Sequence, residues 1–199
     1  MRFLFAFLVC FPFSALAENP MISASQVLGF VATDLTGNGQ KEHIVLYDLE
    51  EFPTSDIVLT IWGRGGDDEW GNYIFSQGFA QYNDLNRPPT LSLAENGSVQ
   101  VHSFSTSETP ANWEKTLTIA YRQLDEHEYA QYLVVGLKYE WNPGGNAKKR
   151  QICEINLLTG RGELTRVGDQ TVMVFESSLE PEHTDTWPRD MIPEQCFGI

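Results

Sequence analysis

The feature that most constrains the fold is an alternation of apolar and polar residues with a period of two, which recurs along the chain. In residues 132–139 the apolar side chains at every second position are Leu133, Val135, Leu137 and Tyr139. Successive side chains of a β-strand point to opposite faces of a sheet, so this pattern predicts strands. The alternating or strand-length apolar runs are residues 27–33, 42–48, 56–62, 90–104, 116–122, 132–139, 151–158 and 171–175.

The connections between these runs favour antiparallel neighbours. Asn96-Gly97 divides the run 90–104, and Asn-Gly supplies the positive φ angles of a two-residue hairpin turn. Most other connections are short and contain Gly, Asn, Asp or Pro. Residues 124–132 offer at most a short helix, and no segment carries a long amphipathic one. We therefore predict an all-β fold of antiparallel strands, arranged as a sandwich, an open barrel or a partial propeller-like meander.

Residues 1–17 have the three parts of a secretory signal. Arg2 supplies the positive charge, residues 3–13 form an apolar run, and Ala15-Leu16-Ala17 is a small-x-small cleavage site. The run is shorter than the roughly 20 residues that span a bilayer, which disfavours the alternative of a membrane anchor. Cleavage leaves residues 18–199 as a single β-rich domain. We expect a periplasmic or secreted protein with no membrane insertion after signal cleavage.

Two cysteines remain after this cleavage, Cys153 and Cys196. In an oxidising compartment such a pair usually forms a disulfide. The alternative is two free thiols or a thiol site, although the Cys-x-x-Cys spacing typical of such a site is absent. The bridge would tether residues 180–199, which we predict to be an extended, irregular tail because they contain three prolines and no alternation.

Acidic residues outnumber basic ones by 27 to 13, which gives a formal net charge of −14. This excess disfavours binding to nucleic acid or to anionic membrane surfaces, since both attract basic patches. It favours a cation or a basic protein partner. The simplest alternative is that the charge serves solubility alone.

Residues 34–42 place oxygen-bearing groups at alternate positions between two predicted strands. The donors are Asp34, Thr36, Asn38, the main-chain carbonyl of Gln40, and Glu42. Ca²⁺ binds about six to eight oxygens, so the pattern indicates a candidate calcium loop, weak because only two donors are carboxylates. Two glycines permit the tight curl that this requires. The alternative is a turn in which Asp34 and Thr36 cap backbone amides without a metal.

The segment around this loop, FVATDLTGNGQKEHIVLY within residues 25–48, also matches a known pattern. It resembles one unit of the FG-GAP or VCBS-type repeat, in which a D-x-[DN]-G-D-G-x-x-[DE] loop precedes a strand. The resemblance implies calcium ligation by the five residues named above, although Thr36 and Asn38 depart from the family's usual Asp or Asn and Asp. One unit does not imply a complete propeller. Residues 113–121 and 156–160 are similar to motifs of a group of exported bacterial proteins of unknown function.

Familiar catalytic motifs are absent from the sequence. It contains no Gly-x-Ser-x-Gly, His-Glu-x-x-His, P-loop or dinucleotide fingerprint, and its four histidines lack metal-ligand spacing. The best acidic cluster, Asp67, Asp68 and Glu69, precedes Trp70 in a Gly-rich stretch. This candidate binding loop would contact a sugar or a basic partner, and the alternative is a solvated loop.

These observations predict a non-enzymatic, exported β-domain that binds a protein partner and carries a weak Ca²⁺ loop. One alternative is a glycan-binding or glycan-hydrolysing protein that uses acidic and tryptophan-bearing loops. Another is an inhibitor or immunity-type protein for an envelope enzyme, and a third is a purely structural role.

Overall fold

The computed structural model describes residues 23–49, 57–64, 70–80, 87–105, 111–125, 129–143, 146–188 and 191–197. These residues form twelve strands, three short 3-10 turns and no α-helix. The strands are β1 (Val27–Thr33), β2 (Glu42–Asp48), β3 (Ile57–Arg64), β4 (Trp70–Ala80), β5 (Thr90–Leu93), β6 (Val99–Ser105), β7 (Ala111–Arg122), β8 (Gln131–Pro143), β9 (Gln151–Asn156), β10 (Arg161–Arg166), β11 (Thr171–Glu176) and β12 (Glu182–His183). The 3-10 turns are Ala24–Gln26, Ala147–Lys149 and Glu194–Phe197.

The strands form two antiparallel sheets, neither of them closed. The small sheet has the order β1-β2-β3-β4, and the large sheet has the order β11-β10-β9-β8-β7-β6-β5, with the short β12 paired to β8. Every neighbour on these two paths is also a neighbour in sequence, so each sheet is a meander. The prediction of an all-β, antiparallel sandwich-like fold is confirmed.

The core lies between the inward faces of the two sheets. The small sheet contributes Ile44, Leu59, Ile61 and Ile74, among others, and the large sheet contributes Val101, Leu117, Leu137 and Ile155. All of these side chains are at most 5 % exposed. The alternating runs of the sequence therefore bury one face of each strand, as the period of two requires.

One predicted face assignment is wrong because the β7–β8 pairing contains a register shift. Thr118 pairs with Gly136, but Ile119 pairs with Val134, so the shift leaves one residue of β8 unmatched. Such a bulge ends strict alternation. Tyr132 and Val134 join the main core cluster together with Leu137 and Tyr139, whereas Leu133 and Val135 do not.

β11 is the last strand of the large sheet and buries little of its apolar surface. Val172, Met173 and Val174 are 56 %, 47 % and 60 % exposed. Phe175 packs over Gly162 of β10, where an added Cβ would lie 2.3 Å from the phenyl ring. Glycine at this position therefore holds the last strand close to the sheet.

The C-terminal segment is irregular apart from β12 and one 3-10 turn, as predicted, and it packs against the large sheet. Cys196 forms the predicted disulfide with Cys153 of β9, with a Cα–Cα distance of 5.2 Å. The ring of Phe197 lies 6.0 Å from that of Tyr139 and 5.8 Å from that of Trp141. Trp187 is 5 % exposed, so the segment contributes to the core as well as covering it.

Two findings bear on the predicted compartment. The disulfide is of the kind found in oxidising compartments. Across the described ranges, no helix has the length and hydropathy needed to cross a membrane. The predicted signal peptide, residues 1–17, lies outside the described residues.

Candidate functional site

The predicted calcium loop, residues 34–42, connects β1 to β2 and is folded around the carboxylate of Asp34. Asp34 Oδ1 accepts hydrogen bonds from the backbone N–H groups of Gly37 (2.7 Å) and Asn38 (3.1 Å). Asp34 Oδ2 accepts one from the N–H of Gly39 at 2.8 Å. Gly37 and Gly39 have φ angles of 74° and 83°, in the region that favours glycine. The two glycines thus allow three successive amides to converge on one carboxylate.

Glu42 closes the same loop from its other end. Its side chain is 3 % exposed; Oε2 accepts a hydrogen bond from the N–H of Leu35 at 2.7 Å, and Oε1 accepts one from Thr36 Oγ1 at 2.9 Å. Thr36 Oγ1 also lies 3.4 Å from Asp34 Oδ1. Side-chain oxygens of Asp34, Thr36 and Glu42 therefore lie together inside the loop.

The observed contacts match the metal-free alternative, in which Asp34 caps the backbone amides of the loop, and they leave calcium binding as a prediction. Asn38 Oδ1 is turned towards its own loop, where it accepts from the N–H of Gln40 at 2.7 Å. Among the described residues, no group of three or more His, Cys, Asp and Glu side chains could hold a metal. The loop brings together only two carboxylates, and Asp34 Oδ1 already accepts two backbone hydrogen bonds. Asp34 Oδ2 and the two oxygens of Glu42 each accept one, which leaves each of them a lone pair for a cation. Hydroxyl, main-chain and water oxygens would complete the coordination.

Calcium is expected to raise the melting temperature of the purified chain above its value in EDTA. At a calcium concentration ten times the dissociation constant, binding to the native state alone adds about 1.4 kcal/mol to the free energy of unfolding. For a chain of this size that is roughly 3–6 °C. Asp34→Asn should abolish the rise, while the exposed control Asp169→Asn should keep it. Equal melting temperatures in EDTA, Ca²⁺ and Mg²⁺ would identify the loop as a capped turn without a cation.

A second candidate site lies where the ends of β7 and β8 carry mirrored sequences. β7 reads Asn112-Trp113-Glu114, and β8 reads Glu140-Trp141-Asn142. The antiparallel register sets Asn opposite Asn, Trp opposite Trp and Glu opposite Glu. These six residues, together with Arg87, Ser105 and Arg150, line a cleft of about 400 Å³, which we call the tryptophan cleft.

The two carboxylates of the tryptophan cleft each have their own guanidinium. Arg87 lies 3.0 Å from Glu114 and also stacks over the ring of Phe104, 3.7 Å from its centroid. Arg150 Nε donates to Glu140 at 3.0 Å. Like charges directly opposite each other destabilise a sheet, and here the two arginines offset that repulsion. Lys138 Nζ also lies 3.3 Å from Glu140, so charges of both signs meet at the cleft.

The two indoles, Trp113 and Trp141, pack on the core side of the sheet, opposite Glu114 and Glu140, because neighbouring strand residues face opposite sides. Trp113 lies 6.3 Å from the ring of Tyr139, and Trp141 lies 5.8 Å from that of Phe197. Both tryptophans are partly buried, so each keeps some accessible surface. The disulfide-tethered C-terminal segment thus packs against Trp141 on the core side of the sheet.

His102 forms a hydrogen-bonded chain with two hydroxyls on the outer face of the large sheet. Its Nε2 lies 2.7 Å from Ser92 Oγ, and its Nδ1 lies 3.0 Å from Thr116 Oγ1. Burial lowers the pKa of His102, against a smaller raising effect of the Glu114 carboxylate. A serine beside an imidazole can act as a nucleophile with its base, but catalytic triads usually have a carboxylate as the third member, where Thr116 stands here. The hydrogen bonds of Ser92, His102 and Thr116 are therefore those of a structural network.

A polar groove of about 630 Å³ runs beside Thr116 and over Gly136. Gly136 has no side chain to fill the groove. Its ion pairs are exposed: Lys138 lies 3.1 Å from Glu154, and Arg161 lies 3.0 Å from Glu163. Exposed pairs of this kind contribute about 0–1 kcal/mol each. The groove has the character of the solvated face of an antiparallel sheet.

The structure describes the residues of the predicted calcium loop but not the acidic residues of the candidate binding loop. The structure brings Asp34, Thr36 and Glu42 together through hydrogen bonds inside the loop, whereas Asn38 Oδ1 accepts from the N–H of Gln40. Calcium ligation by the five residues stays a prediction. Asp67, Asp68 and Glu69 of the candidate binding loop lie outside the described residues, and only the backbone of Trp70, the first residue of β4, is described. The tryptophan cleft was missed by the sequence analysis. The mirrored triplets NWE and EWN were the signal that could have revealed it.

The chain was compared with known proteins at three levels. No protein-family model, no curated protein and no solved structure matches it. The resemblance of residues 25–48 to an FG-GAP or VCBS-type unit therefore stays a prediction. Any function must be argued from the geometry of the chain itself.

Proposed function

We propose that this chain is an exported, non-catalytic β-domain that binds a basic protein partner in the periplasm or outside the cell. The observation that carries the proposal is a set of exposed rings on the outer side of the small sheet. Phe30, Trp62 and Phe75 are 58 %, 39 % and 49 % exposed, and we call this surface the aromatic face. Burying such rings against a partner is favourable, and contiguous exposed apolar patches mark interaction sites.

The strand register places Phe30 and Phe75 at the two ends of one row of the aromatic face, with the buried Thr60 between them. One cross-strand row reads Phe30, Val45, Thr60 and Phe75 from β1 to β4. Trp62 lies opposite His43 in the next row, and the His43 ring meets that of Phe30 edge to face at 5.5 Å. With neighbouring strands about 4.8 Å apart, the row spans roughly 14 Å.

Charge and compartment support the same proposal. A net charge of −14 would steer a basic partner towards the chain and speed association. The signal-like residues 1–17 and the disulfide favour export. If the partner is a basic enzyme of the envelope, the chain would be an inhibitor or immunity-type protein. A calcium ion in the 34–42 loop would stabilise the connection between β1 and β2, the first two strands of the sheet that carries the aromatic face.

Phe75→Ser is expected to weaken binding of the partner roughly thirtyfold or more, because truncating an aromatic hot spot of an interface costs about 2 kcal/mol or more. The immobilised chain would capture proteins from an envelope extract of the source cells. The recovered partner would then be titrated against wild type and variant. Leu158→Ser, which removes another exposed apolar side chain in the β9–β10 turn, should leave the affinity unchanged. Recovery of no saturable partner, or equal affinity for Phe75→Ser, would contradict the proposal.

A further inference from the structure

We propose that a pocket at one end of the large sheet, where β8 ends and β9 begins, binds a small molecule that carries a phosphate group. The pocket has a volume of about 390 Å³ and is lined by residues 148–150, Gln151, Arg166, Trp141 and Asp169. Residues 148–150 read Lys-Lys-Arg, so we call it the cationic pocket. It shares no residue with the aromatic face, and the proposal does not depend on a protein partner.

The cationic pocket gathers positive charge in a chain whose net charge is −14. Of its four basic residues, Arg150 has an ion-pair partner. Among the residues that the structure describes, no ion pair involves Lys148, Lys149 or Arg166. Against these three cations stands one lining carboxylate, Asp169, which leaves an excess of positive charge. A phosphate monoester carries about −1.5 to −2 at neutral pH and matches that excess better than a single carboxylate does.

The strand register places a donor without a partner inside the pocket. Gln151 of β9 pairs with Trp141 of β8 on one side and with Arg166 of β10 on the other. Residues directly opposite each other in antiparallel strands point to the same face, so these three side chains form one row. Arg166 Nε and Gln151 Oε1 are buried and have no hydrogen-bond partner among the described residues. A ligand that bonds to them would remove the cost of burying them unpaired.

These two atoms restrict the chemistry of the ligand. The guanidinium of an arginine can donate two parallel hydrogen bonds to phosphate oxygens, and a lysine adds a mobile point charge. Gln151 Oε1 can only accept, so it needs a hydroxyl donor from the ligand. The volume of the pocket is within the range of small-molecule sites, which leaves room for an organic group beside the phosphate. The cationic pocket therefore suits a small phosphate ester that also carries a hydroxyl group.

Backbone contacts hold the cations in place before any ligand arrives. The N–H of Val167 donates to the carbonyl of Arg150 at 3.0 Å, which joins the β10–β11 turn to the start of β9. Gly168 packs so closely on this connection that an added Cβ would lie 2.0 Å from the carbonyl oxygen of Lys148. The N–H of Lys148 in turn donates to Asn146 Oδ1 at 3.1 Å. Preorganised groups lose less conformational entropy on binding.

The net charge of the chain favours a small ligand over a large polyanion. At physiological salt, charges act over a Debye length of about 8 Å, so a ligand inside the pocket interacts mainly with the cations around it. A nucleic acid or an anionic membrane would extend over the rest of the surface. Acidic residues outnumber basic ones by 27 to 13 in the chain and would repel it.

Calorimetric titration and tryptophan fluorescence of the purified chain test this proposal, in a buffer free of phosphate and calcium. The probes are glycerol phosphate, inorganic phosphate, acetate, and vesicles of phosphatidylcholine with phosphatidic acid. We expect saturable binding of glycerol phosphate that weakens as salt is added. Because Trp141 lines the pocket, binding should also change tryptophan emission. Acetate, which carries a single charge, should bind roughly tenfold more weakly or less.

Arg166→Gln removes the buried guanidinium and should weaken binding of glycerol phosphate roughly tenfold or more. Arg161→Gln is the matched control, since it changes an arginine of the same strand that is exposed and paired with Glu163 outside the pocket. This control should bind as wild type does. The exposed double change Lys148→Gln with Lys149→Gln leaves the strands intact and should also weaken binding. Thermal melts would confirm that each variant is folded.

Two further variants separate recognition of the ligand from other effects. Asp169→Asn removes the carboxylate of the pocket and should strengthen binding, a change that damage to the fold would not produce. Phe75→Ser should bind glycerol phosphate as wild type does, which distinguishes this proposal from the one on the aromatic face. The proposal is overturned if glycerol phosphate shows no saturable binding, if only the vesicles bind, if acetate binds as tightly, or if Arg166→Gln binds as tightly as Arg161→Gln.

Discussion

Replacing both cysteines, Cys153→Ala with Cys196→Ala, is expected to lower the free energy of unfolding by about 4 kcal/mol. The bridge joins residues 43 positions apart in the sequence. Without it, the unfolded chain regains the conformational freedom of a loop of that length, which the chain-entropy model values at about 4 kcal/mol. For a chain of this size, the melting temperature should fall by roughly 8–16 °C, as measured by calorimetry or circular dichroism.

Reduction provides the matched control for this variant. Dithiothreitol should lower the melting temperature of wild type by a similar amount and leave the double variant unchanged. Because Phe197 follows Cys196 and contacts the rings of Tyr139 and Trp141, release of the segment should also change tryptophan fluorescence. A double variant that melts within about 2 °C of wild type would show that packing alone holds the C-terminal segment.

Alkaline pH is expected to destabilise the fold between about pH 10 and about pH 12 through Tyr139. This side chain is 6 % exposed, and burial raises its pKa from 10.0 to about 12. Below pH 10 the hydroxyl is neutral in both states, so its contribution is fully present. Above pH 10 the unfolded chain loses the proton while the folded chain keeps it, so stability declines as the pH rises. A shift of about two pKa units corresponds to roughly 2–3 kcal/mol, most of it lost by about pH 12.

Urea unfolding at a series of pH values measures this loss. Tyr139→Phe removes the ionisable group while keeping the ring against Phe197. The variant should therefore show a shallower decline in stability over this pH range than wild type. Tyr129→Phe, which alters a 70 % exposed ring, should retain the wild-type decline. Parallel pH profiles for wild type and Tyr139→Phe would show that other groups govern the alkaline transition.

Strands whose apolar residues alternate throughout their length could be predicted from the sequence. The run 42–48 coincides with β2, Glu42–Asp48, because its apolar pattern covers the whole strand. The run 116–122 captures only the second half of β7, Ala111–Arg122. Lys115 explains the difference, since it occupies a core-facing position in line with Leu117 and is only 1 % exposed. A charged residue at such a position interrupts the apolar pattern, and only the folded chain shows how it is accommodated.

The loop site could be predicted from the sequence and the tryptophan cleft could not, because only the first is built from contacts within one short segment. In the 34–42 loop, Asp34 and Glu42 bind amides within the same nine residues, so the spacing of glycines and oxygen donors predicts the arrangement. The tryptophan cleft lies in the portions of β7 and β8 beyond the predicted runs. It depends on the pairing of two strands and on Arg87 and Arg150, which reach it from outside both. A local sequence pattern does not predict which distant residues a strand pairs with.

The exposed strand β11 makes the colloidal behaviour of this protein depend on its overall charge. Apart from its last residue, Glu176, β11 contains no proline and no charged residue, and its pairing with β10 has no bulge. Natural sheets commonly use such features to prevent the last strand from pairing with another molecule. Here the repulsion between chains of charge −14 takes over that role. Because that repulsion vanishes near the sequence pI of 4.5 and is screened by salt, acidification or high ionic strength leaves β11 open to self-association.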